Sequence, residues 1–243
     1  MLNNLLHIGK VSTPDVLPIL GVENPYFYRN KMEFSFSNKR WLTSEEIAEE
    51  NKIERNGLGF HKPLMWDKIV DINKCHLQAE PSNQIRNAVR RFAIEKEMPF
   101  FDLRAQKGFL RTLMIRNTLE GEVMVLIQFF EELKEKIELL LSFIKDHFPQ
   151  VTSLLYCINS KGNDSLYDQE IKCFSGNEYI TENLGGLQFR ITAKSFYQTN
   201  PKQAGELYTI AKDFAQLKLQ DIVYDLYTGT GTIALTLAHE CKK

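Results

Sequence analysis

Near its C-terminus the chain reads DIVYDLYTGTGTIALTL, residues 221–237. An apolar run, a polar turn holding Gly229 and Gly231, and a second apolar run follow one another. This order constrains the fold more than any other stretch. It predicts a buried strand over 222–227, a tight turn, and a helix from about Thr232, the opening unit of an α/β sheet. Glycines in such a turn let backbone amides approach a ligand closely, and a helix start offers it partial positive charge. Two cofactor classes compete. Gly229, Gly231 and Ala234 fit the dinucleotide pattern G-x-G-x-x-G/A, whose acidic partner about 20 residues on would fall past Lys243. For S-adenosylmethionine, the useful residue is Asp225, four positions before the first glycine. Its carboxylate can orient the turn or meet the cofactor's ammonium. A strand–helix connection with no ligand is the third reading.

Upstream of about Ala193 the texture differs. Residues 1–24 read as the end of an amphipathic helix and a connection punctuated by Pro14, Pro18, Gly21 and Pro25. KMEFSFS then alternates cleanly, with Met32, Phe34 and Phe36 on one face, as a half-buried strand does. In TSEEIAEE, Thr43 and Glu46 stand at capping-box spacing and predict a short helix. GLGFHKP and DKIVDINKC read as two strands joined at Pro63–Trp66. A helix with Ile85, Ala88, Val89 and Phe92 on one side follows. FLRTLMIRN and EVMVLIQFF are two further strands around TLEGE. The clearest helix has Leu133, Ile137, Leu140, Leu141, Ile144 and Phe148 as its stripe and ends at Pro149. SLLYCIN is a strand, and EYITENLGGLQFRIT a hairpin turning on Gly185-Gly186. SFYQTN leads into Asn200-Pro201, a cap and helix-start proline, and a helix with Ala204, Leu207, Tyr208, Ala211 and Phe214 on one side. The expected fold is therefore an α+β domain over 25–192, an antiparallel sheet with helices. An α/β Rossmann-like domain begins at 193–243, and 1–24 forms a linker.

With 43% hydrophobic and 25% charged residues, the composition is that of an ordinary globular protein. No apolar run approaches the roughly 18 residues of a transmembrane helix, and the N-terminus is too short and polar for a signal peptide. No membrane partner is expected. The net charge of −1 leaves only a local patch for a polyanion. Arg86, Arg90, Arg91, Lys96, Arg104, Lys107, Arg111 and Arg116 offer one, against Glu95, Glu97 and Asp102. A solvated helix face plus a polar strand face is the alternative. The widely spaced cysteines, Cys75, Cys157, Cys173 and Cys241, form no disulfide framework, so a cytoplasmic location is expected.

FYRNKMEFSFSNKRW, SFYQTNPKQAGELY and VYDLYTGTGTIAL together resemble the RNA (uracil-5-)-methyltransferase family, over most of the chain. The resemblance implies S-adenosyl-L-methionine as cofactor. Gln198 would hydrogen-bond its methionine portion, and Tyr227 and Thr232 would line its pocket beside Asp225, Gly229 and Gly231. Phe196 would contact the flipped target base, for which an apolar or π surface replaces lost stacking, worth roughly 1–3 kcal/mol. DKIVDINKCHLQ is similar to the branch acting on 23S rRNA, in which Cys75 would be the fourth ligand of a [4Fe–4S] cluster. The tRNA-modifying branch generally lacks that cluster. Uracil C5 is a poor nucleophile. In this family a cysteine thiolate adds to C6, C5 takes the methyl group, a base removes the C5 proton, and the cysteine leaves.

By the same resemblance the nucleophilic cysteine and the glutamate base fall beyond Lys243. An oligonucleotide-binding barrel and three cluster cysteines fall before Met1. The chain is thus expected to be an internal fragment, inactive alone and unable to hold the cluster, with 23S rRNA as its partner and no obligate protein partner. A tRNA methyltransferase, a non-catalytic RNA-binding module and an NAD-dependent oxidoreductase fragment are the alternatives. Thr228 stands where many relatives have cysteine. Cys241 does not match the nucleophile's place and reads as a helix-face residue. His61 and His76 near Cys75 have no regular ligand spacing. Trp41 and Trp66 read as partly buried packing rather than RNA-stacking residues, and Phe129 as the end of a core strand. Arg29 and Lys31 beside Phe27 and Tyr28 fit RNA contact or strand-edge packing.

Overall fold

The computed structural model describes residues 3–11, 16–48 and 53–242. Met1, Pro14, the Glu49-Glu50 end of TSEEIAEE and Lys243 lie outside them.

Seven strands form one sheet in the order β3-β2-β1-β4-β5-β6-β7. They are β1 (Lys31–Ser37), β2 (Gly57–Lys62), β3 (Met65–Asp71), β4 (Leu110–Asn117), β5 (Val123–Phe129), β6 (Val151–Ile158) and β7 (Lys172–Gly176). The expected antiparallel sheet is in fact mixed, because β5 and β6 run parallel. The cause is the helix between them. A parallel neighbour needs a crossover connection, and α3 (Lys134–His147) supplies it. Strand β7 was not expected. Its five residues are half-buried to exposed and show no alternation, as suits a sheet edge.

The two faces of the sheet have separate covers. Phe34, Leu113, Ile115, Val125, Ile127 and Leu154 pack under α2 (Ser82–Glu95) and α3, the helices themselves meeting through stacked Phe92 and Phe143. On the other face Met114, Met124, Leu126, Leu155 and Cys157 pack against a hairpin of β8 (Tyr179–Leu184) and β9 (Leu187–Thr192). Both faces being covered, every residue of β5 is buried and only Asn117 of β4 is not. Gly185 and Gly186 both have positive φ, 60° and 80°, as the tight turn of this hairpin requires. Thr43 and Glu46 exchange side chain-to-backbone bonds at 2.9 and 3.2 Å at the start of α1 (Ser44–Ala48), as a capping box does. The N-terminal helix end is a single exposed π-helical turn, Asn4–Ile8.

The basic patch is dispersed. Arg86, Arg111 and Arg116 are buried. Arg86 lies over the Phe34 ring, and Arg111 donates to the carbonyls of Asn159 and Lys161. Arg90 and Arg104 are paired with Asp71 and Asp67. Strand and helix faces that carry arginine were turned inward by packing on both sides of the sheet. Trp66, in contrast, is 60% exposed and Trp41 37%, with Arg104 and Lys62 over their rings, so core packing does not describe them. They sit at the β3 edge of the sheet, where residues 39–41 bridge to Ile69 and the Trp41 amide donates to the Ile69 carbonyl at 2.8 Å.

Beyond β9, Asn200 caps α4 (Pro201–Ala215), its Oδ1 accepting from the Gln203 amide at 3.1 Å. On that helix only Pro201, Ala204 and Tyr208 are buried. Leu207 and Phe214 of the expected apolar side are exposed. The strand expected over 222–227 does not form. Ile222, Tyr224 and Leu226 are 64%, 81% and 77% exposed. A strand exists only through its ladder, and no described strand offers an edge there. Tyr227, at φ 61°, breaks the extended backbone. No helix among the described residues is long and apolar enough to cross a membrane.

Candidate functional site

The site is assembled by two local devices. The first is the glycine turn. Gly229 and Gly231 take φ of 60° and 77°, a left-handed backbone open to glycine at little cost. The turn closes by Gly231 N–H to Thr228 O at 2.9 Å and Thr228 Oγ1 to Asp225 O at 2.6 Å. α5 (Thr232–Leu237) follows directly. Asp225 Oδ2 accepts from the Ala234 amide at 3.2 Å, so this carboxylate orients the turn against the helix. Thr232 is buried and donates to the Tyr208 hydroxyl at 3.1 Å, which docks the turn on α4.

The second device is the strap 195–199 between β9 and α4. Its side chains alternate. Tyr197 is 4% exposed in the core under the hairpin, whereas Phe196 is 72% exposed and Gln198 is exposed. The Phe196 ring lies beside the glycine turn, and a Cβ on Gly229 would stand 3.9 Å from Phe196 Cδ1. The structure thus brings Phe196, Gly229, Gly231, Asp225 and Thr232 to one place. Gln198 instead lines a cavity of about 350 Å³ with Leu20, Asn200, Gln203 and Leu207. Tyr227 projects freely into solvent.

Cys75 stands apart from both devices. Its side chain packs in the core under α2, and its backbone exchanges bonds of 2.7 and 3.2 Å with Asn83. His61 bonds to Ser35 and to the Trp66 carbonyl, and the His76 ring lies against Tyr26 and Phe27. Among the described residues no three of His, Cys, Asp or Glu converge as a metal site. The residues present around Cys75 therefore do not by themselves fit an iron–sulfur cluster. Cys241 donates to Leu237 O just past α5.

Of three buried polar residues around the strap, Asn30 and Glu182 escaped the sequence reading and Arg116 was expected only in a surface patch. Asn30 and Arg116 bond the strap's backbone. Glu182, on β8, accepts from the Leu119 amide at 3.1 Å. Burial, aided by Glu120, pushes the Glu182 carboxyl up to about 7. Burial likewise raises the Tyr197 hydroxyl. The available signal was slight: Glu182 shares its strand face with Ile180 and Leu184, and Arg116 follows Ile115 near the end of an apolar strand.

No protein-family model matches the chain. Curated proteins do. A protein of Porphyromonas gingivalis named an uncharacterized RNA methyltransferase is 51% identical over 98% of this chain and 53% of its own length. Proteins of the same name from Bacteroides thetaiotaomicron and Chlorobaculum tepidum are 48% and 38% identical over 99% of this chain. The chain spans about half the length of these relatives. Among solved structures, Pyrococcus abyssi tRNA (uracil-54, C5)-methyltransferase in complex with S-adenosyl-L-homocysteine matches with a TM-score of 0.67. It is 26% identical, over 89% of this chain and 48% of that one. The mixed sheet with its helices is thus a fold found in a methyltransferase, and the chain is homologous to proteins named RNA methyltransferases.

Proposed function

We propose that the chain is part of an S-adenosylmethionine-dependent enzyme that methylates C5 of a uridine in RNA. The observation that carries this is the seating of exposed Phe196 beside the Gly229–Gly231 turn, which puts a base-stacking surface next to a cofactor turn. The structural neighbour was solved with S-adenosyl-L-homocysteine and is named for uracil C5, which supports the same pair of ligands.

In this reading the cofactor supplies an electrophilic methyl group. Asp225 keeps the turn shaped through its bond to the Ala234 amide. Thr232 ties the turn to α4, and Tyr227 closes over the cofactor as a pocket wall. Gln198 holds the methionine portion, and Phe196 replaces the stacking a flipped uracil loses. No residue of this chain is assigned as the nucleophilic cysteine or the base. Residues 1–24 act as a linker packing on the domain that begins at 193. In keeping with this, Leu20 shares a cavity wall with Gln198 and Leu207.

The substrate we assign is 23S rRNA, on the strength of DKIVDINKCHLQ around Cys75. Transfer RNA is the second reading, favoured by the name of the structural neighbour. Disruption of the encoding gene, followed by nucleoside mass spectrometry of separated rRNA and tRNA, tests both. Loss of 5-methyluridine from 23S rRNA is expected. Loss from tRNA selects the second reading, and loss from neither overturns the proposal.

A further inference from the structure

The strap 195–199 carries two of the proposed contacts yet belongs to no helix or strand. A free segment of this kind would wander, and a misplacement of about 1 Å at a reacting centre is enough to slow chemistry substantially. Something must hold it. Its start is tied to β9, where the Thr192 amide donates to Ser195 Oγ at 3.0 Å. The rest is held from the seven-stranded sheet. Arg116 Nη2 donates to the Ser195 carbonyl at 2.7 Å. Asn30 Nδ2 donates to the Gln198 carbonyl at 3.1 Å, and the Asn30 amide to the Thr199 carbonyl at 2.8 Å. Three strap carbonyls are thus taken by two residues.

Those two residues are neighbours at one end of the central strand pair β1–β4. Arg116 on β4 faces Lys31 across the β1–β4 ladder, and the Asn117 amide donates to the Asn30 carbonyl at 3.0 Å. Between the two grips, Tyr197 is buried against Phe189. A strap held by the backbone at both ends and plugged in the middle must turn residues 196 and 198 outward.

The chemistry of Arg116 supports a directional role. Arg116 is 3% exposed, and among the described residues its Nε has no partner and no carboxylate forms an ion pair with it. Burial draws its pKa down to about 10, so it is still charged at neutral pH. A buried charge costs several kcal/mol, and an apolar side chain of similar volume is often no worse for stability. What the apolar side chain lacks is a planar donor aimed at a carbonyl.

We propose that Arg116 and Asn30 are positioning residues, which clamp the backbone of the strap 195–199 so that Phe196 and Gln198 are presented together. The clamp serves the methyltransferase site proposed above and rests on that reading for its purpose, though not for its geometry.

The test uses this chain with 4-fluorophenylalanine placed at position 196 and read by ¹⁹F NMR. Urea unfolding and S-adenosyl-L-homocysteine titration are run alongside. In R116M the ¹⁹F line is expected to narrow and move toward that of an unrestrained ring, with the unfolding transition still cooperative. Affinity for S-adenosyl-L-homocysteine should fall at least tenfold. R116K, which can still donate to one carbonyl, should recover part of both. N30A should act in the same direction independently, which covers the case in which R116M does not fold. An unchanged ¹⁹F line in N30A and in folded R116M would overturn the clamp. So would a line that changes only in step with global unfolding. Wild-type chain that binds no S-adenosyl-L-homocysteine would count against the cofactor reading, with the ¹⁹F result still deciding the clamp.

Discussion

Strands β4 and β5 and the segment 222–227 are alike in that each reads as a strand from a stretch at least half apolar. They have opposite fates. Leu113, Ile115, Val125 and Ile127 are fully buried, whereas Ile222, Tyr224 and Leu226 are more exposed than covered. The difference is not in the residues. β4 and β5 have ladder partners on both sides, two helices on one face and a hairpin on the other. Among the described residues segment 222–227 has none of these, so its apolar side chains gain nothing from extension. Helix α4 shows the same division on a smaller scale, with Ala204 and Tyr208 covered and Leu207 and Phe214 bare.

The largest expected effect falls in the sheet. Leu113→Ala or Ile127→Ala should cost about 2–5 kcal/mol in urea unfolding, from lost burial and the cavity left behind. Next is a pH effect at the hairpin. Burial, aided by Glu120, raises the Glu182 carboxyl from 4.5 to about 7 in the fold. The folded state therefore binds more protons than the unfolded state between these values, and stability falls as pH rises from about 4.5 through 7. Urea midpoints measured across that range should decline in the wild type and flatten in Glu182→Gln, a difference on the order of 1–3 kcal/mol. Third, Asn200→Ala removes the cap of α4 and should cost about 1 kcal/mol, visible as lost helical circular dichroism. The smallest effect belongs to Leu226→Ala, which should shift stability by less than about 0.5 kcal/mol. A cost above about 1 kcal/mol there would show that 222–227 is packed and would end the contrast with β4 and β5.

Local chemistry was legible wherever one turn of chain decides the outcome. The Thr43–Glu46 capping box, the Gly185-Gly186 turn and the Asn200-Pro201 helix start all formed as their residues require. The glycine turn did too, and the Asp225 carboxylate accepts from the Ala234 amide, its cofactor contact standing as a proposal. The cofactor contacts of Gln198 and Tyr227 and the base contact of Phe196 came from a family resemblance and stand as proposals. What escaped depends on residues far apart in sequence. Arg116 looked like part of a surface patch, yet its partner is the carbonyl of residue 195. Strand β7 has no pattern of its own and exists because β6 offers an edge.

By itself the sequence determined the order of most elements, the caps and turns between them, and the glycine turn with its following helix. These follow from backbone preferences and short-range hydrogen bonds, which act within a few residues. Only the tertiary structure decided that β5 and β6 run parallel, that three arginines lie inside, and that Phe196 meets Gly229. It also decided that the run 222–227 stays bare. Pairing, burial and proximity belong to surfaces brought together from distant parts of the chain, and an apolar run acquires them only where another surface is there to meet it.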